Sequence, residues 1–366
     1  MKILEIIPTL SSGGGERFVV DLANELSREN NVTLLVFRLD GNLSFYLPQV
    51  SENVRVILIK KHSGLDFRLF FKVFRFIRTE SPDIIHTHLK GLLYSFFAEL
   101  FLVRGVHTVH SEPDMEAPDI VSRCVRRILF GLRRVIPVGI SLESSASFER
   151  FYHIKPVTIA NGRNVPQNLI VSNSVKQEIL SYKKNENTRV IVHLASITEV
   201  KRQTMMARVA GRLYKDDYNF VILFIGRDDD QNLVNEVRRE MPSCCHILGL
   251  RQNPLEYLKE AGAYGLCSSC EGLPISLIEA LGVGAVPICT PVGGIVNVVH
   301  DGENGILSED VDEESYYLAM KRYLDMSDVQ IREMSSKAIK SYAPYSMTEC
   351  AEHYYDLFKG IISGKK

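Results

Sequence analysis

Short β-branched runs alternate with longer stretches of helical period along the first half of the chain. KILEII (2–7), VTLLVF (32–37), VRVILI (54–59), DIIHTH (83–88), HTVH (107–110) and VIPVG (135–139) read as strands, and helix-length segments separate most of them. That alternation predicts a parallel sheet covered by helices on both faces. After the polar stretch SYKKNENT (181–188) the rhythm restarts with RVIVHLA (189–195), FVILFIG (220–226), HILG (246–249), YGLC (264–267) and VPICT (286–290). The restart predicts a second domain of the same α/β kind. The stretch 161–175 is rich in Asn and has no period, so the linker is placed there. From 345 the pattern MTECAEHYYDLFKGI is helical, with Ser346 or Thr348 as its N-cap. The expected division is an N-terminal domain 1–168, a C-terminal domain 169–345, and a terminal helix 346–366 that can pack back on the N-terminal domain.

Composition narrows the class. A chain of 366 residues is too long for one ordinary core, and 45% hydrophobic with 24% charged residues is the balance of a folded globular protein. A net charge of −1 gives no global signal for a nucleic-acid partner. The opening MKILEIIP is too short for a signal-peptide core, and no run of about 18 apolar residues follows, so a cytoplasmic location is expected. Seven scattered cysteines fit free thiols in a reducing compartment.

Ligands of doubly wound sheets sit at the carboxyl ends of the strands, and two such sheets in tandem are expected to face a central cleft. After the strand near Leu266 the chain reads SSCEGLPISLIEALGVGAVPI. Pro274 suits the first helical position, which predicts a helix running to about Leu281. Gly272, Leu273 and Pro274, followed by Ile275, then form a helix mouth whose N–H groups and positive dipole end suit a phosphate. Glu271 lies just before that mouth and Glu279 more than one turn inside. A carboxylate accepts two hydrogen bonds from a vicinal diol, so this pair suits a sugar and a ribose.

The string E-G-L-P-x-S-L-I-E-A-L-x-x-G-x-P resembles the EX7E segment of the retaining GT-B glycosyltransferases of family GT4. The resemblance implies two Rossmann-like domains and places Glu279 on the ribose and Glu271 near the donor sugar. SSGGGERFVVDLA (11–23) resembles the family's glycine loop after the first strand, which implies Gly14 and Gly15 at the donor phosphate or the acceptor. HTVHSEPD (107–114) resembles the segment whose histidine, here His110, points into the cleft. LASITEVKRQ (194–203) resembles the loop whose Arg and Lys neutralise the diphosphate: Lys201 matches the Lys, whereas Ser196 stands at the Arg position beside the candidate Arg202. PVGGIVNVVHDGENGIL (291–307) is similar to a further family loop in which Gly293 and Gly294 allow close backbone approach, and Asn297 stands where an acidic residue is common. Arg251 is the candidate contact to the base. Carried over whole, the resemblance implies catalytic Glu271, Lys201 and His110, a UDP- or GDP-sugar donor, a glycan or lipid-linked acceptor, retention at the anomeric carbon, and no metal or cofactor.

Three further signals need weighing. His86-Thr-His88 puts two imidazoles on one strand face, and His107 and His110 lie close in sequence, but no acidic ligand accompanies them at a telling spacing, so a metal site is not expected. Cys267-Ser-Ser-Cys270 is formally C-x-x-C in a loop approach rather than a redox context. FRLFFKVFRFIR (67–78) sets Arg68, Lys72 and Arg75 among phenylalanines, RRILFGLRR (126–134) adds cations, and residues 1–165 carry a formal +4 against −5 for the rest. A peripheral contact of 67–78 and 123–134 with an anionic membrane, at its inner face, is one expectation, and a sheet-covering helix with a solvated basic edge is the other. The alternatives are a sugar-nucleotide epimerase or phosphorylase of the same architecture, and a non-catalytic sugar-nucleotide-binding protein, which Ser196 motivates.

Overall fold

The computed structural model describes residues 1–110 and 119–364. The chain forms two compact units, Met1–Asn164 with Tyr345–Lys366, and Val165–Pro344. The first holds a parallel sheet of β1 (Lys2–Ile7), β2 (Asn31–Val36), β3 (Val54–Leu58), β4 (Ile84–His88), β5 (Gly105–Val109), β6 (Val135–Gly139) and β7 (Val157–Thr158). Its spatial order is β3-β2-β1-β4-β5-β6-β7. In the second, β8 (Arg189–Leu194), β9 (Phe220–Ile225), β10 (Cys245–Gly249), β11 (Ala263–Leu266), β12 (Val286–Cys289) and β13 (Ile306–Leu307) lie in the order β10-β9-β8-β11-β12-β13. Each sheet reverses its winding once, between β1 and β4 and between β8 and β11. A doubly wound sheet leaves its crevice at that reversal.

β9 is an apolar, Ile- and Phe-rich strand, and β4, β9, β11 and all of β1 but Lys2 are buried, as two-sided cover demands, with Glu5 on β1 and His86 and His88 on β4 among the buried residues. The expected strands are present with ends displaced by a residue or two. β7 and β13 escape the hydrophobic pattern because two residues carry no period. His193 on β8 ties the second reversal point, bonding Gly265 O of β11 at 2.9 Å and the Gln203 amide at 3.0 Å, and burial pushes its imidazole down to about 3.

The linker expected at 161–175 is structured at both ends. Helix Asn173–Tyr182 begins inside it and buries Val175 and Ile179, four residues apart on one face. Residues before Val165 are zipped to the returning chain. Arg163 N–H donates to Tyr345 O at 3.0 Å, and Gly162 lies so close that an added Cβ would sit 2.5 Å from Cys350 Cβ. Ser346 caps helix Met347–Ile362 by accepting from Glu349 N–H, and Met347, Cys350, Ala351, Tyr354, Phe358 and Ile361 form its buried stripe.

A buried charge cluster locks this crossing. Asp21, on helix Gly14–Leu26, pairs with Arg17 one turn back and with the Arg163 guanidinium at 2.8 Å, all three being buried. Removing one member of such a cluster leaves the others charged and dry. Asp21→Ala is therefore expected to destabilise the first unit by about 3–5 kcal/mol. The check is the urea midpoint followed by circular dichroism; an unchanged midpoint would show that the cluster contributes nothing.

Candidate functional site

In the second unit the loops leaving β8 and β11 are stitched together at the sheet reversal. Ser269 N–H donates to Val200 O at 2.9 Å, and Cys267 Sγ lies 3.4 and 3.3 Å from the carbonyls of Lys201 and Arg202. Burial pushes that thiol up to about 12, which suits a structural thiol and not a redox one. The stitching brings Lys201 Nζ onto Glu271 Oε1, and Ser268 Oγ donates to the same oxygen at 2.6 Å. Ser268 is fixed in turn because Thr290 Oγ1 donates to its carbonyl at 2.7 Å. Glu271 is thus a mostly buried carboxylate with a cation and a hydroxyl on one oxygen.

Gly293 closes the loop from below. Its φ is +52°, and an added Cβ would sit 1.8 Å from Glu271 O, so neither the conformation nor the space admits a side chain. Gly294 N–H donates to Gly272 O. The helix that follows runs Ile275–Val283, ending at Gly284 with φ +78°. It begins one residue later than expected: Pro274 has ψ 127° and is the N-cap rather than the first helical residue, and Leu277 N–H makes the first turn's bond to Pro274 O. Leu273 and Ile275 are buried, so what they offer a ligand is backbone. Glu279 is buried more than one turn inside the helix.

The cationic surroundings differ from those read in the sequence. Arg202 has φ +55° and its guanidinium bonds Val311 O. A different guanidinium reaches Ser196. Arg227, two residues after β9, places Nε 3.4 Å from Ser196 Oγ and Nη1 3.6 Å from Asp229 Oδ2. Gly226 makes this possible, since at its φ of +154° a Cβ would meet Ala195 O at 2.0 Å; Ile197 N–H then bonds Arg227 O at 2.8 Å. Sequence reading missed Arg227, because it sits 31 residues from the position it serves; the Ile-Gly-Arg exit from a buried strand was the available signal. Arg251 is held between two helices, with Nη2 2.8 Å from Glu178 Oε1 of helix Asn173–Tyr182 and Nε 3.1 Å from Tyr257 Oη of helix Pro254–Ala261.

In the first unit the glycine loop closes on its own first helical turn. Thr9 and Ser11 hydroxyls donate to Glu16 Oε1 at 3.0 and 2.7 Å, and a Cβ on Gly13 would strike the same carboxylate. Gly14 opens the helix, exposed, and Gly15 faces the His110 ring, whose Cγ would lie 3.5 Å from an added Cβ. His110 follows β5 rather than ending it, and Phe18 packs edge-on to its ring at 5.4 Å. The rest of the segment beginning there, 111–114, lies outside the described residues.

One expectation is corrected here. His86 and His88 do have an acidic companion: Glu5, on the neighbouring β1, with ligand atoms of the three within 4.8 Å. The sequence spacing hid it because strand pairing across the reversal joins residues about 80 apart, with Glu5 opposite His86. Each ring nitrogen of this pair and both carboxylate oxygens already have hydrogen-bond partners.

Comparison with known proteins agrees with this architecture. Residues 12–193 match the model described as Glycosyltransferase Family 4, and residues 175–342 the model described as Glycosyl transferases group 1. The chain is 24% identical, over 99% of its length and 99% of the relative's, to the Campylobacter jejuni GalNAc-alpha-(1->4)-GalNAc-alpha-(1->3)-diNAcBac-PP-undecaprenol alpha-1,4-N-acetyl-D-galactosaminyltransferase. It is 26% identical, over the whole of both chains, to the O-antigen biosynthesis glycosyltransferase WbnH of Escherichia coli. In fold it is similar to Anabaena Alr3699/HepE, solved in complex with UDP, with a TM-score of 0.82, 17% identity, and cover of 98% of this chain and 100% of that one.

Proposed function

The chain belongs to the family 4 glycosyltransferases of GT-B fold, and we propose that it moves a sugar from a nucleotide-diphosphate sugar to a lipid-linked glycan with retention of the anomeric configuration. The observation that carries this reading is the Glu271 loop, a carboxylate and a cation held together beside a helix mouth at the reversal of a doubly wound sheet. Breaking the anomeric C–O bond develops negative charge on the leaving diphosphate. Lys201, the N–H groups at the helix mouth and the Arg227 guanidinium are the groups assigned to that charge. Arg227 takes the place of the arginine that Ser196 replaces. Glu279 holds the ribose hydroxyls and Glu271 the donor sugar, and within the first unit His110 is the candidate substrate-contacting group. With cations of the chain serving the diphosphate, this reading calls for no metal ion or cofactor. UDP in the similar Anabaena structure makes UDP-sugars the first donors to test, and GDP-sugars the next. The relatives named for O-antigen synthesis and for an undecaprenol-diphosphate-linked acceptor support a cell-surface glycan as product.

A panel of UDP- and GDP-sugars tests this. Acceptor-dependent release of nucleoside diphosphate in the presence of EDTA, giving a product whose anomeric proton shows the donor's configuration, is the expected result. Epimerised donor without release, or binding without turnover, would contradict transfer. Lys201→Ala and Arg227→Ala should each slow turnover by a factor on the order of 10² to 10³, the usual cost of one lost transition-state donor. Glu279→Ala should raise donor KM, and Glu271→Gln should lower kcat more than affinity.

We propose in addition that the first unit docks on an anionic membrane surface. No helix among the described residues is long and apolar enough to cross a membrane. Helix Phe67–Glu80 buries Leu69, Phe70, Val73 and Ile77 and leaves Phe67 and Phe71 about 70% exposed. Phe71 stacks on Phe97 of helix Gly91–Phe101, which leaves Phe101 exposed, and helix Ile120–Gly131 leaves Ile120 and Ile128 exposed. Exposed Arg68, Lys72, Arg75, Arg78 and Arg127 accompany these rings, whereas Arg126 is buried. Apolar side chains beside cations suit the boundary of an anionic bilayer. Flotation should recover the protein with phosphatidylglycerol vesicles and not with phosphatidylcholine ones, and Phe71→Glu should release it. Equal recovery with both lipids would overturn the proposal.

A further inference from the structure

A cavity of about 760 Å³ lies in the first unit at the carboxyl ends of β1, β2 and β4. Pro8 and Thr9 follow β1, Phe37 and Arg38 follow β2, Leu89 and Lys90 follow β4, and all of them line it. Lys61, three residues beyond β3, lines it too. β1 and β4 flank the winding reversal of this sheet, the place where doubly wound sheets take their ligands. The volume falls within the roughly 300–1,000 Å³ usual for small-molecule sites. Backbone bonds carry the strand ladder on into the walls. Arg38 N–H donates to Pro8 O at 3.0 Å and Lys61 N–H to Phe37 O at 3.0 Å, so the chain that bears these two cations is fixed.

The lining has two chemistries. Its charged side chains, among the described residues, are Arg38, Lys61, Lys90 and Asp119. Arg38 pairs with Asp40 at 3.3 Å, both exposed, a pair that a competing anion displaces at little cost. Lys61 Nζ donates to His62 O at 2.9 Å and Gly64 O at 2.6 Å, which hold the ammonium in place without neutralising it. Asp119 uses its two oxygens on the start of helix Ile120–Gly131, accepting from Ser122 N–H at 2.8 Å and Ser122 Oγ at 2.9 Å. Apolar side chains make up most of the remaining wall. Phe37, Leu93 and Tyr94 are buried, whereas Leu65 and Val121 are 43% and 44% exposed. Leu65 and Val121 adjoin the exposed apolar surface of this unit, two residues before Phe67 and directly after Ile120. The Tyr94 ring meets Phe70 at 5.0 Å and Phe70 stacks on Phe67 at 6.4 Å, so an apolar path runs from that surface into the cavity.

We propose that this cavity binds a lipid diphosphate, the anionic joint of a lipid-linked acceptor, with the phosphates on Arg38, Lys61 and Lys90 and the first tail carbons on Leu65, Leu93, Tyr94 and Val121. Cations and apolar wall together select such a ligand. A neutral sugar has no use for three cations, and inorganic phosphate none for the apolar side chains. Three cations also exceed what the single charge of a phosphodiester calls for, which favours a diphosphate over a bilayer phospholipid. The assignment rests on the lipid-linked acceptor of the proposed function. It is separate from membrane docking: the exposed rings hold the bilayer, and the cavity takes one lipid from it.

Calorimetric titration of the full chain with farnesyl diphosphate, below its micelle concentration and without donor, tests the assignment. Farnesyl diphosphate should bind about tenfold or more tightly than inorganic pyrophosphate and than farnesol, since burial of about two tail carbons, or one charge-assisted hydrogen bond, supplies that factor. Arg38→Glu and Lys90→Glu, both at exposed positions, should each weaken it about tenfold or more. Phe71→Glu and Lys201→Ala, which alter neither the lining nor its neighbours, should leave it within about twofold. Pyrophosphate or farnesol binding as tightly as farnesyl diphosphate would overturn the proposal, and so would unchanged affinity in Arg38→Glu and Lys90→Glu. Equal affinity for dihexanoylphosphatidylglycerol would assign the cavity to bilayer lipid and overturn it as well. Loss of binding in Lys201→Ala would move the ligand to the second unit, with the same consequence. A donor panel without transfer leaves this titration untouched, so the two readings fail separately.

Discussion

Glu271 is an ion-paired carboxylate whose loop has almost no freedom, and the second unit is organised around keeping it there. A carboxylate that loses most of its water is costly unless a cation and further donors compensate. Ser268 does so from the same loop, and Lys201 arrives because the loops after β8 and β11 run side by side. The sheet reversal is what makes those loops neighbours. Gly293 lets a third loop pass against the Glu271 carbonyl, and Gly226 lets the β9 exit pass against Ala195. Each of these close approaches excludes a side chain. Together they place a cation, a carboxylate and a helix mouth within one short stretch of surface.

The first unit handles a carboxylate in the opposite way. Glu5 has no cation beside it among the described residues; its oxygens face two imidazoles, and desolvation raises its pKa. Such an arrangement does little for stability compared with a well-packed apolar core. The glycine loop lies against the His110 ring, with an added Cβ at Gly15 3.5 Å from His110 Cγ, an ordinary van der Waals distance.

Much of this was legible in the sequence. Strands such as β8 and β9 announce themselves through runs of apolar, mostly β-branched residues, and the EGLP segment declares a helix mouth through its glycine and proline. The features that stayed hidden share one cause, which is that their partners are far apart along the chain. Glu5 meets His88 across 83 residues, and Arg227 meets Ser196 across 31; no local period encodes either. Arg202, adjacent to Lys201, was the nearer candidate cation, but its left-handed backbone turns it toward Val311. The Pro274 boundary shifted by one residue because an extended ψ serves a cap as readily as a proline's fixed φ serves the first turn.

At the centre of the account is the proposal that Lys201 and the helix mouth recognise a diphosphate. Calorimetric titration of nucleoside diphosphate against its parent nucleoside, for uracil and guanine in parallel, measures that recognition directly in wild type and in Lys201→Ala. The diphosphate of one base should bind at least about tenfold more tightly than its nucleoside, a difference of about 1.4 kcal/mol, and Lys201→Ala should remove most of the gap. Equal affinity for diphosphate and nucleoside, or a gap that survives the loss of Lys201, would contradict the account.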